Sequence, residues 1–506
     1  MAPLEKLAAA AAAEDEIKSV REQKQARVET KPGDPFYASR VRVYPKAASG
    51  RFRALKWKVL GLLLAIYYVV PWIRWDRGPD APDQAVLIDM TNRRGYFFFI
   101  EIWPQEVFYI TGILILAAVG LFLVTSLAGR VWCGYACPQT VWTDLFMWVE
   151  RRIEGDRNAR IKLDNGPWTV AKWGRKLAKH AAWLVIAFVT GGAWIMYFVD
   201  ASTVVVDFFR GSADYYTYFF VGLFTATTYL LAGWAREQVC TYMCPWPRFQ
   251  SAMFDEDTLI VTYQKSRGEP RGKAAKGLPA SKGLPLANLG DCIDCGQCVA
   301  VCPTGIDIRD GNQLECIGCA LCIDACNPVM AKLGRAPNLI GYDTERRIAA
   351  RARGETPRYR ILRPRTLLYG LLFAGVGLAM LAVLLTRSDA DVNVLHDRNP
   401  LFVTLSDGAV RNGYTVKILN KERAERIFRL EFKGVEGARL RVAGLVETAS
   451  SLDVRAAPDT VTTYQVYIAA DPGKLRAGRT DVTFAVTDIA TGTAATRHTW
   501  FYGPKP

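Results

Sequence analysis

Histidine is scarce in this sequence, because the 506 residues include only His180, His396 and His498. Membrane-bound haem needs axial ligands that face each other across helices, and only His180 lies near an apolar segment. The composition therefore argues against haem, and we interpret His180, next to Lys179, as a solvated interface residue. A glycine-rich phosphate loop after a predicted strand is also lacking, which argues against a nucleotide or flavin site.

Acidic residues are fewer than basic ones, 49 against 64, and the net charge is +15. Most of the basic residues lie beside apolar segments, where they set membrane topology, and this argues against nucleic acid as a partner. Half of the residues are hydrophobic while the mean hydropathy is near zero, so apolar and charged segments alternate. The composition predicts a protein of the membrane lipid bilayer with soluble parts, long enough for about three domains.

Five apolar stretches approach the roughly 20 residues needed to cross a bilayer. They span about 54–73, 107–129, 181–199, 215–234 and 366–386. Residues 130–180 carry ten Lys and Arg and residues 335–365 carry nine Arg, whereas 200–214 carries only Arg210 against three Asp. By the positive-inside rule, the N-terminus and the basic segments are cytoplasmic. Five crossings then place everything after residue 386 outside.

The sequence predicts a multi-domain membrane protein with a cytoplasmic ferredoxin module and an extracytoplasmic all-β domain. Its expected segments are a polar N-terminal segment (1–53), a membrane domain of four helices in two repeated hairpins (54–269), a linker (270–290), a two-cluster ferredoxin module (291–335), a basic segment (336–365), a fifth transmembrane helix (366–386) and an immunoglobulin-like sandwich (390–506). The linker is rich in Gly, Lys, Pro and Ala, so we expect it to tether the ferredoxin module without tight packing.

Both ends of the chain yield expectations of their own. The run Ala8–Ala13 is too short and too weakly apolar for a signal peptide, so we expect no cleavage. Alternating runs at 414–420, 426–432, 462–470 and 481–489 predict strands of a sandwich with about seven strands. The domain has no cysteine, and we expect it to serve protein interaction or assembly.

All twelve cysteines lie between residues 133 and 326, and eight of them form two runs with the spacing C-x2-C-x2-C-x3-C. This spacing is typical of bacterial 4Fe-4S ferredoxins, in which the fourth cysteine of each run ligates the other cluster. The first cluster is therefore assigned to Cys292, Cys295, Cys298 and Cys326, and the second to Cys316, Cys319, Cys322 and Cys302. Structural zinc favours pairs with a longer spacer and disulfides suit secreted chains. The runs therefore predict two adjacent clusters and a function in electron transfer.

The other four cysteines form a repeated C-x3-C-P motif after the second and the fourth apolar stretch. The CX3CP cysteines are Cys133, Cys137, Cys240 and Cys244. Arg130 or Arg236 precedes each motif, and the proline suits the first position of a helix. We expect the arginine and the helix dipole to lower the pKa of Cys137 and Cys244. Thiolates select Cu(I), zinc or iron-sulfur clusters, so these cysteines are candidate catalytic metal ligands; the alternative is that they are small buried hydrophobes.

Five segments together are typical of one known family: GRVWCGYACPQTVW, REQVCTYMCPWPRFQSAMFDEDTLI, GDCIDCGQCVAVCPTGIDIRDG, DRNPLFV and GYTVKILNK. They resemble the cytochrome c oxidase accessory protein family CcoG, also called FixG or RdxA, over nearly the whole chain from about residue 50. The segment CPWPRF departs from the family pattern through the extra proline at 247. The resemblance implies a cupric reductase of the bacterial inner membrane that works in assembly of cbb3-type cytochrome oxidase.

The resemblance also implies roles for residues and partners. The CX3CP cysteines become the copper site, and the eight ferredoxin cysteines become the electron relay. A copper-exporting P-type ATPase and oxidase assembly factors become partners, together with an electron donor that the sequence does not identify. Two alternatives remain open: a polyferredoxin that exchanges electrons with the quinone pool, and a non-enzymatic assembly scaffold or redox sensor.

Overall fold

The computed structural model describes residues 42–78, 81–272, 289–356, 358–388, 390–445, 448–475 and 478–504. The chain divides into two units, Met1–Leu378 and Ala379–Pro506. The run Ala8–Ala13 and the greater part of the predicted linker lie outside the described residues.

The first unit begins with α1 (Arg51–Val69), a small antiparallel sheet of β1 (Val86–Asp89), β2 (Arg94–Phe97) and β3 (Ile100–Ile102), and α2 (Phe108–Ala128). It continues through α3 (Val131–Tyr135), α4 (Pro138–Glu154), α5 (Arg157–Asn165), α6 (Val170–Ile195), α7 (Ala201–Arg210) and α8 (Tyr215–Thr228). The π-helical segments Tyr229–Ala235 and Val239–Met243 then lead to α9 (Trp246–Ala252), β4 (Ile260–Tyr263) and α10 (Lys265–Gly268). The remaining elements are α11 (Gln297–Ala300), α12 (Leu321–Lys332), β5 (Ile340–Asp343), α13 (Glu345–Ala352) and α14 (Pro364–Leu385).

Five helices of the described chain are long and apolar enough to cross a membrane, which confirms the predicted number. With their flanking turns they span Arg51–Trp72, Pro104–Ala128, Val170–Ile195, Tyr215–Ala235 and Pro364–Leu385. The third helix starts before the predicted residue 181, because the surrounding loop satisfies the charges of its first turns. Lys172 donates to the carbonyl oxygens of Asp164 and Gly166 at 2.9 and 2.7 Å, and Lys176 pairs with the Asp164 carboxylate at 2.5 Å.

His180, which the sequence predicts to be a solvated interface residue, also packs against aromatic side chains. Its side chain is half-buried on α6, and Nδ1 shares a hydrogen bond of 2.9 Å with the hydroxyl of Tyr229. The ring also stacks near Trp183 and Trp234. These contacts pack His180 of α6 against Tyr229 and Trp234 of the segment that follows α8.

The sequence-based prediction did not include the small sheet β1–β3, which lies near the C-terminal ends of α1 and α6. The Ile88 amide donates to the carbonyl of Tyr197 at 2.8 Å, and the Gln84 side chain joins the carbonyl of Met196 to the amide of Ala201. Arg74 also pairs with Asp200 at the start of α7. This end of the helix bundle is therefore closed by polar contacts, away from all twelve cysteines.

The ferredoxin module packs firmly against the membrane part, which corrects the expectation of a loose tether. Strand β4, which follows the second CX3CP motif, pairs antiparallel with β5, which follows the module. Buried side chains of both strands, including Val261 and Ile340, share a core with Ile323 and Met330 of α12. Backbone pairing and a shared core therefore attach the module to the membrane part independently of the linker.

After the last residues of α14, the second unit is an all-β sandwich, as predicted. One sheet has the order β11-β10-β13-β8-β6, with β7 beside β8, and the other has the order β12-β9-β14-β15. The strands are β6 (Ala390–His396), β7 (Val403–Thr404), β8 (Val410–Asn420), β9 (Arg426–Lys433), β10 (Arg439–Val442), β11 (Thr448–Ala449), β12 (Ser451–Ala456), β13 (Thr460–Ala470), β14 (Arg479–Asp488) and β15 (Ala494–Tyr502). The described residues thus contain more strands than the predicted seven, because two are dipeptides and β10 is only four residues long.

Candidate functional site

The two ferredoxin runs fold as matching loops. In the first run Asp294 and Gly296 adopt φ values of 51° and 63°, and Gly318 and Ala320 repeat them at 68° and 61° in the second. Left-handed residues in short succession turn backbone N–H groups to one side and form a concave nest that suits an anionic cluster. Asp294 and Ala320 adopt this conformation without the freedom of glycine, so the surrounding fold must impose it.

Two adjacent cavities lie between these loops. The first cavity is lined by Cys292, Cys295, Cys298 and Cys326, and the second is lined by Cys302, Cys316, Cys319 and Cys322. Cys298 also borders the second cavity. The two sets are those that the spacing predicts, and the cavities together with the nests fit two 4Fe-4S clusters. The ligand assignment itself stays a prediction.

Burial of the ferredoxin thiols favours their protonated form. It raises the pKa of Cys298 and Cys316 to about 12 and that of Cys326 to about 11. In the metal-free chain these thiols would stay protonated at neutral pH. Iron binds thiolates, so cluster binding would release these protons and would be coupled to folding of the module.

The two CX3CP motifs converge, although about a hundred residues separate them. The thiol of Cys133 on α3 donates to the side-chain oxygen of Gln250 on α9 at 3.0 Å. Gln139, which follows Cys137, donates to the carbonyls of Leu231 and Arg236 ahead of the second motif. Each motif therefore packs on the flank of the other, and the four thiols lie in one region.

Electrostatics also place the CX3CP cysteines together. Burial raises the pKa of Cys240 to about 12, and the neighbouring Cys137, Cys133 and Cys244 raise it further while Arg130 opposes the shift. Burial likewise raises the pKa of Cys133 above its ordinary value, against the charge of Arg130. The expected lowering at Cys137 and Cys244 stays a prediction.

The sequence predicts that Cys137 and Cys244 lie at helix N-termini, each near an arginine, and the structure agrees with this only in part. Cys137 directly precedes α4, whereas Cys244 lies two residues before α9. Arg236 points away from the thiols, since its guanidinium pairs with Glu150 at 3.1 Å and donates to the carbonyl of Gly233. Of the two arginines, only Arg130 faces the cysteines.

The first CX3CP motif touches the second cavity directly. A Cβ atom on Gly134 would lie 2.9 Å from the carbonyl oxygen of Ile317 and 3.0 Å from the Cys319 backbone nitrogen. The Tyr135 hydroxyl donates to the Cys319 carbonyl at 3.2 Å. Cys133 and Cys319 belong to one buried apolar cluster. The first CX3CP motif, with Cys133, is thus next to the second cavity.

The described residues contain no compact site for a single metal ion. No three His, Cys, Asp or Glu side chains are grouped there as ligands of one ion. A 4Fe-4S cluster takes its thiolates on separate irons, which spreads them apart, so this finding does not bear on the two cavities.

Several residues of this region escaped the sequence-based prediction. Gln250 joins the two motifs, and Gly134 allows the first motif to contact the second cavity. Arg130 faces the cysteines, whereas Arg236 does not. The sequence carries one weak signal, because glycine stands at 134 where the second motif has Thr241. Glycine at one copy of a repeat indicates a close backbone approach that the other copy lacks.

Three family models match the chain. A "4Fe-4S binding domain" matches residues 110–155, a "4Fe-4S dicluster domain" matches 235–345, and an "IG-like fold at C-terminal of FixG" matches 380–504. The first of these contains Cys133 and Cys137, and the second contains the other ten cysteines.

Curated relatives match over most of their length. The chain is 51% identical over 467 residues to the nitrogen fixation protein FixG of Rhizobium meliloti (strain 1021), which covers 87% of this chain and 88% of the relative. It is 50% identical over 473 residues to protein RdxB of Cereibacter sphaeroides, covering 92% and 97%. It is 48% identical over 459 residues to protein RdxA of the same organism, covering 90% and 94%.

Proposed function

Because this chain belongs to the FixG/RdxA family of iron-sulfur electron-transfer proteins, we propose that it reduces Cu(II) to Cu(I) for assembly of a cbb3-type cytochrome c oxidase. The observation that carries the proposal is the position of the CX3CP cysteines beside the second cavity. A Cβ atom on Gly134 would come within 3.0 Å of the Cys319 backbone. Thiols that select Cu(I) therefore lie next to thiols that suit an electron carrier.

The ferredoxin cysteines form the electron-carrying part of the proposed reductase. Each bound 4Fe-4S cluster would take up and release one electron at a time. Cys298 borders both cavities, so the two carriers would be neighbours. The Tyr342 hydroxyl holds the second loop by donating to the Gly318 carbonyl at 2.6 Å.

The CX3CP cysteines form the proposed copper site. Copper is the substrate here: Cu(II) gains one electron, and the product Cu(I) is retained by thiolates, which it prefers over oxygen ligands. Cys244 is exposed, Cys137 and Cys240 are half-buried and Cys133 is buried. Copper could therefore enter from the side of Cys244 and be held towards the buried Cys133, next to the second cavity.

The membrane orientation and the partners are part of the same proposal. The ferredoxin module and the CX3CP cysteines would face the cytoplasm, whose reducing conditions keep cysteine unoxidised, and the β-sandwich would face the periplasm. A copper-exporting P-type ATPase would then receive Cu(I) on the cytoplasmic side. Oxidase assembly factors would meet the sandwich.

A stoichiometric reduction experiment tests the proposal. The purified protein is reduced under anaerobic conditions, freed of reductant and mixed with Cu(II), while visible absorbance follows cluster oxidation and a chelator reports Cu(I). We expect one Cu(I) for each electron lost from the clusters. Clusters that stay reduced in the presence of Cu(II) would overturn copper reduction as the function.

A double variant tests the site within the same experiment. Cys133→Ser with Cys240→Ser should abolish formation of Cu(I) while the cluster absorbance stays intact. Thr241→Ser changes the second motif without removing a thiol and serves as the control, with activity as in the wild type. Wild-type activity in the double variant would show that copper is reduced elsewhere.

A further inference from the structure

Arg130 lies between the second cavity and the CX3CP cysteines. Helix α2 ends at Ala128, and Gly129, with φ of 59°, turns the chain so that Arg130 enters the interior. Only 6% of Arg130 is exposed. A buried guanidinium carries its charge into a region of low effective dielectric, where that charge acts over a longer range than in water.

Arg130 contacts the loop that forms the second cavity. Its Nη1 donates to the carbonyl of Leu314, and a Cβ atom on Gly318 would lie 3.2 Å from the Arg130 carbonyl carbon and oxygen. Gly318 stands between Cys316 and Cys319. On its other side, Arg130 is three residues from Cys133, and its positive charge acts on the sulfurs of Cys133, Cys240 and Cys316.

The charge of Arg130 is not neutralised locally. Its Nε has no hydrogen-bond partner, and its guanidinium forms no ion pair with any carboxylate of the described chain. The first cavity differs in this respect, because the arginine that lines it, Arg309, binds both oxygens of Asp307 and also pairs with Asp294. A cation without a carboxylate partner therefore contacts the loop of the second cavity, whereas a neutralised one lines the first.

Other buried charges near the second cavity do not cancel this effect. Asp144, 1% exposed, is shared by Arg53 at 2.8 Å and Lys56 at 3.3 Å. Lys56 and Asp144 act on Cys319 with opposite signs. Asp324, 7% exposed, adds a second buried carboxylate next to Arg53, so these two cations and two carboxylates balance each other and do not offset Arg130.

We propose that Arg130 raises the midpoint potential of the cluster in the second cavity above that of the cluster in the first. The inference rests on the cluster assignment of the proposed function, and it names the residue that sets the direction of electron flow. Reduction adds one negative charge to a cluster, and an unneutralised buried cation stabilises that charge. An electron would then reside beside the CX3CP cysteines.

Three arginine variants test the proposal by redox titration of the purified, cluster-loaded protein, followed by electron paramagnetic resonance without copper. When the solution potential equals the wild-type midpoint of the second cluster, the ratio of reduced to oxidised second cluster should be at least tenfold lower in Arg130→Gln than in the wild type. A tenfold change corresponds to 59 mV for one electron. Arg130→Lys keeps the charge, so its ratio of reduced to oxidised second cluster should stay close to that of the wild type. Arg236→Gln removes the buried arginine that precedes the second CX3CP motif. Because Arg236 is paired with Glu150, this variant should leave the midpoint potentials of both clusters unchanged.

The signals are assigned with Cys295→Ser, which removes a ligand of the first cavity only. A wild-type order in which the first cluster has the higher potential would overturn the proposal, and this measurement needs only the wild-type chain and Cys295→Ser, not the arginine variants. Iron content shows whether Arg130→Gln keeps both clusters. An unshifted potential in a fully loaded Arg130→Gln protein, or the same shift in Arg236→Gln, would also overturn it. The titration contains no copper, so its outcome is independent of whether the protein reduces copper.

Discussion

Gly134 stands between Cys133 and Cys137, where the first CX3CP motif meets the ferredoxin module. The atoms that a Cβ would meet are backbone atoms of Ile317 and Cys319, at 2.9 to 3.0 Å. Backbone cannot move aside as a flexible side chain can, so Gly134→Ala should overpack this contact and cost about 1–3 kcal/mol. We expect a lower unfolding temperature in detergent and faster loss of iron to a chelator.

Gly174 provides the matched control for this substitution. It lies on α6, and no atom lies within 4 Å of the position that its Cβ would take. Alanine favours a helix over glycine by about 0.5–1 kcal/mol, so Gly174→Ala should not destabilise the protein. Equal unfolding temperatures and equal iron retention in the two variants would show that the Gly134 contact is unimportant.

The residues differ in how well the sequence predicts them, and the reason is the separation of their partners. The ferredoxin cysteines lie within eleven residues of one another in each run, so spacing alone predicts the two sets that line the cavities. The partner of Cys133, Gln250, is 117 residues away. Arg130 and Arg236 have the same local sequence role, and only their distant partners, Leu314 and Glu150, distinguish them.

At the scale of elements, α1 depends on the ferredoxin module for its start. Its N-cap residue is Gly50, which has no side chain to accept the first amides. The carboxylate of Asp324 on α12 does so instead, accepting from Phe52 at 3.3 Å and from Arg53 at 2.7 Å. Asp324→Ala should cost about 0.5–2 kcal/mol, as loss of a helix cap does, and should loosen the module.

Two further variants separate this role from a local effect. Asp324→Asn keeps an oxygen acceptor and should recover part of the unfolding temperature. Asp214→Ala removes the cap that α8 receives from its own N-terminus, at 3.0 Å from the Tyr216 amide. Iron release to a chelator should accelerate in Asp324→Ala, because α12 carries Cys322 and Cys326. Equal acceleration in Asp214→Ala would contradict a specific link between α1 and the module.

Elements that a uniform local pattern specifies were predicted well. The five membrane helices follow from long apolar runs, and strands β8, β9, β13 and β14 follow from alternation. The sheet β1–β3 and helix α7 were missed, because each is short and its position depends on contacts such as those of Gln84 with Met196 and Ala201. The close packing of the module was missed for a similar reason, since β4 and β5 are four-residue strands far apart in sequence.

At the scale of the whole molecule, the order of the helices bears on sidedness. Helix α2 and the π-helical end of α8 lead into the CX3CP motifs, while the basic segments precede α6 and α14. All the cysteines and most of the loop arginines and lysines thus belong to one side. Since positive loops remain in the cytoplasm, the proposed orientation places every native cysteine there and the β-sandwich outside.

Thiol labelling in spheroplasts tests this orientation. Ile489, 47% exposed in the sandwich, is changed to Cys, and a membrane-impermeant maleimide is added with a Cu(I) chelator. We expect Ile489→Cys to be labelled in intact spheroplasts, and the exposed Cys244 to be labelled only after permeabilisation, because it lies across the bilayer. Labelling of the wild-type chain from outside would reverse the orientation, and copper would then be reduced on the periplasmic face, where an exporting ATPase could not collect it.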